Sequence, residues 1–158
     1  MVISCGEIIN PSPIFNEANA SVGMVAKSMT DNSLGEMPIV ENVGNMRLVG
    51  FIAHYDIVKM VAFGRDARNT PAYEIMTPDP VTCSVKDDLS FALDIMDKCH
   101  LRRLPVVSSD KRLLGMIEHD EVLKHVQEQA PLGAESAAEQ LDQSKIFESS
   151  AVIEVDAM

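Results

Sequence analysis

A motif of three prolines and a glycine occurs twice in this chain, and the duplication limits the fold more than any other feature. The second copy reads Ile75-Met76-Thr77-Pro78-Asp79-Pro80-Val81, a helix-like run, Leu104-Pro105-Val106-Val107, then Leu113-Leu114-Gly115-Met116-Ile117. The first copy reads Ile8-Ile9-Asn10-Pro11-Ser12-Pro13-Ile14, a helix-like run, Met37-Pro38-Ile39-Val40, then Leu48-Val49-Gly50-Phe51-Ile52. Pro11 and Pro78, Pro13 and Pro80, and Pro38 and Pro105 are each 67 positions apart, whereas Gly50 and Gly115 are 65 apart, so the second copy has a turn two residues shorter. Each copy is a small structural unit, and a unit of ~60 residues buries so little surface that it is marginal alone. The two units are therefore expected to share a core.

Within each copy the order of elements is strand, helix, hairpin, helix. Pro11 and Pro13 hold the entry segment extended. Ser21 caps a helix with Val22, Val25, Ala26 and Met29 at helical spacing. Pro38-Ile39-Val40 and Leu48 to Ile52 form a β-hairpin about a turn at 42–45. Asp56 opens a further helix through Ile57, Val58, Met60 and Val61 that ends near Gly64. The cycle then restarts: Asp87 or Asp88 begins a helix with Leu89, Ala92, Leu93 and Met96 on one face, a hairpin turns at 108–111, and Val122, Leu123 and Val126 lie on the closing helix. The expected division is repeat one at 3–64, a polar linker at 65–73, repeat two at 74–130 and an acidic tail at 131–158. The tail carries Glu135, Glu139, Asp142, Glu148, Glu154 and Asp156 against Lys145. Three readings of it stay open: disordered, docked on a partner, or the start of a further domain.

A net charge of −11 argues against nucleic acid and anionic membrane as partners, because both need a basic surface. No run of ~18 apolar residues marks a membrane span. The N-terminus lacks the basic start and apolar core of a secretory signal. Cys5, Cys83 and Cys99 are odd in number and lack CxxC spacing, which points to reduced thiols in a cytoplasmic protein. His54, His119 and His125 show no metal-ligand spacing, so no metal site is expected. No Gly-rich phosphate loop, activated nucleophile or acid–base pair stands out, and the chain is read as non-enzymatic, with no cofactor.

The doubled "T-P-x-P-V", "L-P-V-V" and "L-V-G-x-I-x-x-x-D-I" patterns resemble those of the cystathionine-β-synthase (CBS) domain, here as a tandem pair over roughly residues 3–128. The resemblance implies an α+β fold of two β-α-β-β-α repeats packed through their sheets about a pseudo-twofold axis. It implies two clefts between the repeats, which in this family often hold AMP, ADP, ATP or S-adenosylmethionine. It further implies homodimer formation and regulation of an effector protein, which the sequence does not identify.

By position, the first cleft would gather Asp56, Ala53, Thr77, Val81, Leu101, Arg102, Arg103, Leu104 and Pro105. The family places a ribose-binding carboxylate six residues after the hairpin glycine, which is Asp56 in repeat one and Glu121 in repeat two. A carboxylate accepts from both ribose hydroxyls, although Asp56 is equally suited to cap the helix at Ile57. His100, Arg102 and Arg103 offer cations for a phosphate, or else form the solvated end of a helix. The weaker second cleft would gather Asn10, Ile14, Met37, Pro38, Glu118 and Glu121. With Glu36 beside it, this cleft would repel a polyphosphate. The expected hydroxyl three residues after the glycine is replaced by Ala53 in one repeat and Glu118 in the other. One serviceable nucleotide site per chain is therefore expected, at Asp56. Two functions compete: a regulatory adenosyl-ligand sensor, and a dimerisation scaffold with degenerate, empty clefts.

Overall fold

The computed structural model describes residues 2–130, so the acidic tail lies outside the described residues. The first repeat consists of β1 (Asn16–Glu17), α2 (Val22–Asp31), β2 (Glu36–Val40), β3 (Leu48–Ala53) and α3 (His54–Ala62), preceded by the short helix α1 (Cys5–Ile8). After a 3-10 turn at Ala72–Glu74 come β4 (Thr77–Pro78), β5 (Cys83–Ser84), α4 (Leu89–Cys99), β6 (Arg103–Val107), β7 (Leu113–Glu118) and α5 (His119–Gln129). The strands form two sheets, β1-β2-β3-β4 and β5-β6-β7, with β1 and β5 parallel to their neighbours and each hairpin antiparallel. This is the expected α+β pair of β-α-β-β-α repeats.

Local chemistry accounts for the helix starts. The Ser21 side chain accepts the Met24 N–H at 3.2 Å, and Asp88 accepts the Ser90 N–H at 2.9 Å. Asp87, the other candidate cap, instead accepts the Ser84 N–H at 2.8 Å and shapes the turn before α4. Helix α3 starts at His54, ahead of the expected Ile57, because β3 runs straight into it at Ala53. Both hairpins carry a bulge, between Ile39 and Val40 and between Val106 and Val107. Both turns close through a left-handed residue, Met46 at φ 54° and Lys111 at φ 64°.

The two repeats exchange their leading segments. Cys5 N–H donates to the Asp87 carbonyl (2.8 Å), Gly6 N–H to Val85 (2.9 Å), and Leu89 N–H to Ile3 (3.1 Å), so α1 is pinned to repeat two. The same three bonds recur 67 positions on: Ala72 N–H to Ala20 (2.7 Å), Tyr73 N–H to Ala18 (3.0 Å), and Val22 N–H to Thr70 (2.8 Å). Each lead-in thus completes the other repeat's core. Cys5 is buried with Leu89, Met96, Leu104 and Ile117, whereas Ala72 is buried with Val25, Met37, Ile39 and Ile52. Burying each large apolar side chain contributes about 1.5–3 kcal/mol, and the exchange makes that contribution depend on both repeats.

A third apolar cluster joins the two hairpins through Val40, Leu48, Val107, Leu113 and Met116, with Phe51 packed against it. Across it Leu48 N–H donates to Lys111 (2.9 Å) and Leu113 N–H to Met46 (2.8 Å), a reciprocal pair about the pseudo-twofold axis. Among the described residues no helix is long and apolar enough to cross a membrane.

Candidate functional site

Two clefts open between the repeats, related by the pseudo-twofold axis. One is lined by Phe51, Ala53 and Asp56 from the first hairpin and helix α3, with Thr77, Pro80, Val81, Leu101 and Pro105 from the second repeat. The other is lined by Met116, Glu118 and Glu121, with Asn10, Ser12, Pro13, Ile14, Leu34 and Pro38 from the first repeat. Their volumes are about 230 and 280 Å³. The difference is too small to separate them, so their chemistry has to.

Asp56 stands in the first turn of α3. Its Oδ2 accepts the N–H of Ala53 at 2.8 Å, which ties the helix back to the strand it leaves. One carboxylate oxygen is committed to the cap, and the side chain still lines the cleft. The two roles left open by the sequence are therefore geometrically compatible. Its counterpart Glu121 stands in the first turn of α5, and Glu118 there makes no side-chain cap.

Glu36 and Arg103 line both clefts. They occupy equivalent places at the starts of β2 and β6, and each faces the end of its hairpin partner: Glu36 opposite Ala53, Arg103 opposite Glu118. The second pairing is an ion pair, Arg103 Nη2 to Glu118 Oε1 at 3.1 Å. The first has no cation across the hairpin. Glu36 Oε2 is buried and has no hydrogen-bond partner among the described residues. Burial pushes the Glu36 carboxyl up, only partly offset by Arg103, His54 and Arg102. The Asp56 cleft thus sets two carboxylates and one engaged arginine in a mostly apolar wall. The Glu121 cleft sets three carboxylates around that same arginine.

Of the residues expected at the first cleft, Asp56, Ala53, Thr77, Val81, Leu101, Arg103 and Pro105 come together. Leu104 does not. It is wholly buried in the core of repeat two, because alternate residues of a strand face opposite ways and Arg103 and Pro105 take the cleft side. Arg102 is also outside the lining, beside an adjoining recess with Arg103, Glu118, His119 and Asp120. At the second cleft Asn10, Ile14, Pro38, Glu118 and Glu121 come together, whereas Met37 is wholly buried in the core of repeat one. The residues that the sequence reading passed over are Phe51, Pro80 and Glu36 in one cleft, and Ser12, Pro13, Leu34, Met116 and Arg103 in the other. Strand alternation from Ala53 pointed to Phe51. The repeat register pointed to Glu36 as the partner of Arg103.

Among the described residues no group of three or more His, Cys, Asp or Glu is placed to hold a metal ion.

Comparison with known proteins agrees with this architecture. The CBS domain profile matches residues 5–62 and 72–128. An uncharacterised protein of Methanocaldococcus jannaschii, MJ1404, is 34% identical over 98 residues, 62% of this chain and 23% of that protein. The chain spans about a fifth of the length of other curated relatives that it matches. Among solved structures, the CBS domain pair of protein MJ0100 in complex with 5′-methylthioadenosine and S-adenosyl-L-methionine superposes with a TM-score of 0.68 at 23% identity, covering 82% of this chain and all (100%) of that one. The CBS domain protein PAE2072 of Pyrobaculum aerophilum, complexed with AMP, gives 0.68 at 22% identity, covering 79% of this chain and 98% of that one. At such identities these likenesses speak to the fold. With two profile matches in register over most of its length, the chain belongs to the CBS domain family as a tandem pair.

Proposed function

We propose that this chain is a regulatory ligand-sensing module that binds an adenosine-containing ligand in the Asp56 cleft and performs no catalysis itself. The observation that carries this reading is the make-up of the cleft. A carboxylate suited to two ribose hydroxyls sits at one end of an apolar slot whose walls come from both repeats. A ligand there touches Asp56 on one side and Pro80, Val81 and Leu101 on the other. If it favours one mutual arrangement of the repeats, it shifts the population toward that arrangement. Relatives of this fold crystallised with AMP, 5′-methylthioadenosine and S-adenosyl-L-methionine support the ligand class. The reader of the change is an effector protein, and a cytoplasmic setting fits the reduced cysteines.

The test is thermal unfolding with AMP, ADP, ATP, 5′-methylthioadenosine and S-adenosylmethionine. At least one of them raises the midpoint of the wild type, because a ligand that binds only the folded form stabilises it. Asp56→Ala abolishes the shift and Glu121→Ala retains it. The opposite pattern would move the site to the other cleft.

A dimerisation scaffold is the second reading, and one observation favours it. Helix α3 exposes Tyr55 (71%) and Val58 (64%), its C-terminal neighbour Phe63 is 75% exposed, and Met24 on α2 is 60% exposed. An apolar set of this kind fits a homodimer contact. The counterparts of Tyr55 and Phe63 in repeat two are Asp120 and Glu128, whereas the counterpart of Met24 is Phe91, itself 54% exposed. Light scattering with Val58→Asp separates the readings: a scaffold becomes monomeric and shows no thermal response to any adenosyl compound.

A further inference from the structure

The Asp56 cleft is poorly equipped for phosphate, and the residues responsible are identifiable. We propose that it selects adenosyl ligands that are uncharged or cationic at the 5′ position over adenine nucleotides, and that Glu36 and the Arg103–Glu118 pair set this preference. The proposal rests on the adenosyl reading of the cleft given above.

Three observations converge. Arg103 is the sole cation lining the cleft among the described residues, and Glu118 already holds it at 3.1 Å. A phosphate could engage Arg103 only by competing with that carboxylate. Arg102, which could have supplied a second guanidinium, does not line the cleft and lies in the adjoining recess beyond Arg103. Glu36 brings a second carboxylate into the cleft, with a buried Oε2 that has no donor. An incoming hydroxyl or amine donates to such an acceptor and a sulfonium is attracted to it by charge, whereas an anion is repelled by it.

One feature opposes this. Helix N-termini attract anions, and α3 begins at the cleft. Its first two donors are engaged, however. The Ala53 N–H is taken by Asp56 and the His54 N–H by the Gly35 carbonyl at 3.1 Å. Asp56 further offsets the positive end of the helix.

Calorimetric titration of the full 158-residue chain with 5′-methylthioadenosine, S-adenosylmethionine, AMP and ATP tests the proposal. The expected result is that the first two bind at least ~10-fold more tightly than AMP, and ATP more weakly still. In Glu118→Gln, Arg103 is released, so AMP gains more than 5′-methylthioadenosine and the ratio narrows several-fold. Glu36→Gln narrows it independently, which keeps the test intact if one variant folds poorly. AMP or ATP binding as tightly as 5′-methylthioadenosine in the wild type overturns the selectivity while leaving the adenosyl site standing. An unchanged ratio in both variants overturns the assigned residues. Absence of binding by all four compounds overturns the adenosyl reading and this proposal with it.

Discussion

Gly115 lies directly beneath Asn10. A Cβ at Gly115 would stand 2.2 Å from the Asn10 carbonyl oxygen, and the segment at Asn10 bonds to β7 there through Asn10 N–H to Met116 (2.9 Å) and Met116 N–H to Asn10 (3.2 Å). In the other repeat a Cβ at Gly50 would meet the Met76 side chain, its Sδ at 2.2 Å. The obstacles differ in kind. Backbone pinned by two hydrogen bonds cannot withdraw, whereas a methionine can rotate. Gly115→Ala is expected to cost at least about 3 kcal/mol, and Gly50→Ala about 1 kcal/mol, at the two ends of the usual overpacking range. Urea denaturation measures both. Met76→Ala should absorb much of the Gly50→Ala cost in a double-mutant cycle and none of the Gly115→Ala cost.

Glu36 is a carboxylate that the fold tolerates rather than uses. Its folded pKa is raised by burial, so the folded protein holds this proton more tightly than the unfolded chain does. Its contribution to stability is therefore present below the ordinary glutamate range and lost as pH rises through the raised value. Glu36→Gln is expected to stabilise the protein at pH 7 by up to about 1 kcal/mol and to have no such effect at pH 4. Denaturation midpoints at the two pH values decide this, and an equal gain at both would locate the effect elsewhere.

His119 is raised for a different reason, by partners rather than by burial. Its Nε2 meets Asp97 at 2.7 Å and its Nδ1 meets Asp120 at 3.5 Å. The Asp97 hydrogen bond, helped by Asp120, raises the imidazole pKa against the effect of burial. The pairing stabilises the fold below the usual histidine pKa and fades as pH rises through the elevated one. With Asp97 60% exposed, its worth is at most about 1 kcal/mol. His119→Gln should lower the thermal midpoint at pH 5.5 and leave it nearly unchanged at pH 8.5.

The three thiols differ in access. Cys5 is 0% and Cys83 3% exposed, whereas Cys99 is an exposed residue at the end of α4. The hydrogen bond with Cys5, reinforced by burial, pushes the Cys83 thiol up, away from the reactive thiolate. A thiol-reactive disulfide reagent should therefore titrate one cysteine rapidly in the native protein and three in denaturant. Fast modification of a second would show that α1 detaches from repeat two on that timescale.

The repeat was legible because its signals are local. Proline fixes φ, a hairpin needs its turn residues, and a helix shows its period, so the order of elements and the pairing of Pro38 with Pro105 or Gly50 with Gly115 follow from residues close in the chain. Much of the cleft lining was legible for the same reason, since equivalent positions in two copies occupy equivalent places. Leu104, Met37 and Arg102 were harder. Whether a strand residue faces the core or a cleft depends on register, and a slip of one position reverses it.

The amino-acid sequence by itself determined two β-α-β-β-α units, their alignment at 67 positions, and the inequality of Asp56 and Glu121. Tertiary structure alone decided that α1 completes the core of repeat two while Ala72 completes that of repeat one. It also decided that Glu36 and Arg103 stand on both clefts, and that Arg103 is already engaged by Glu118. Those are contacts between residues far apart in the chain. They arise from the pseudo-twofold packing, and no local propensity encodes which face of a strand, or which charge, that packing brings together.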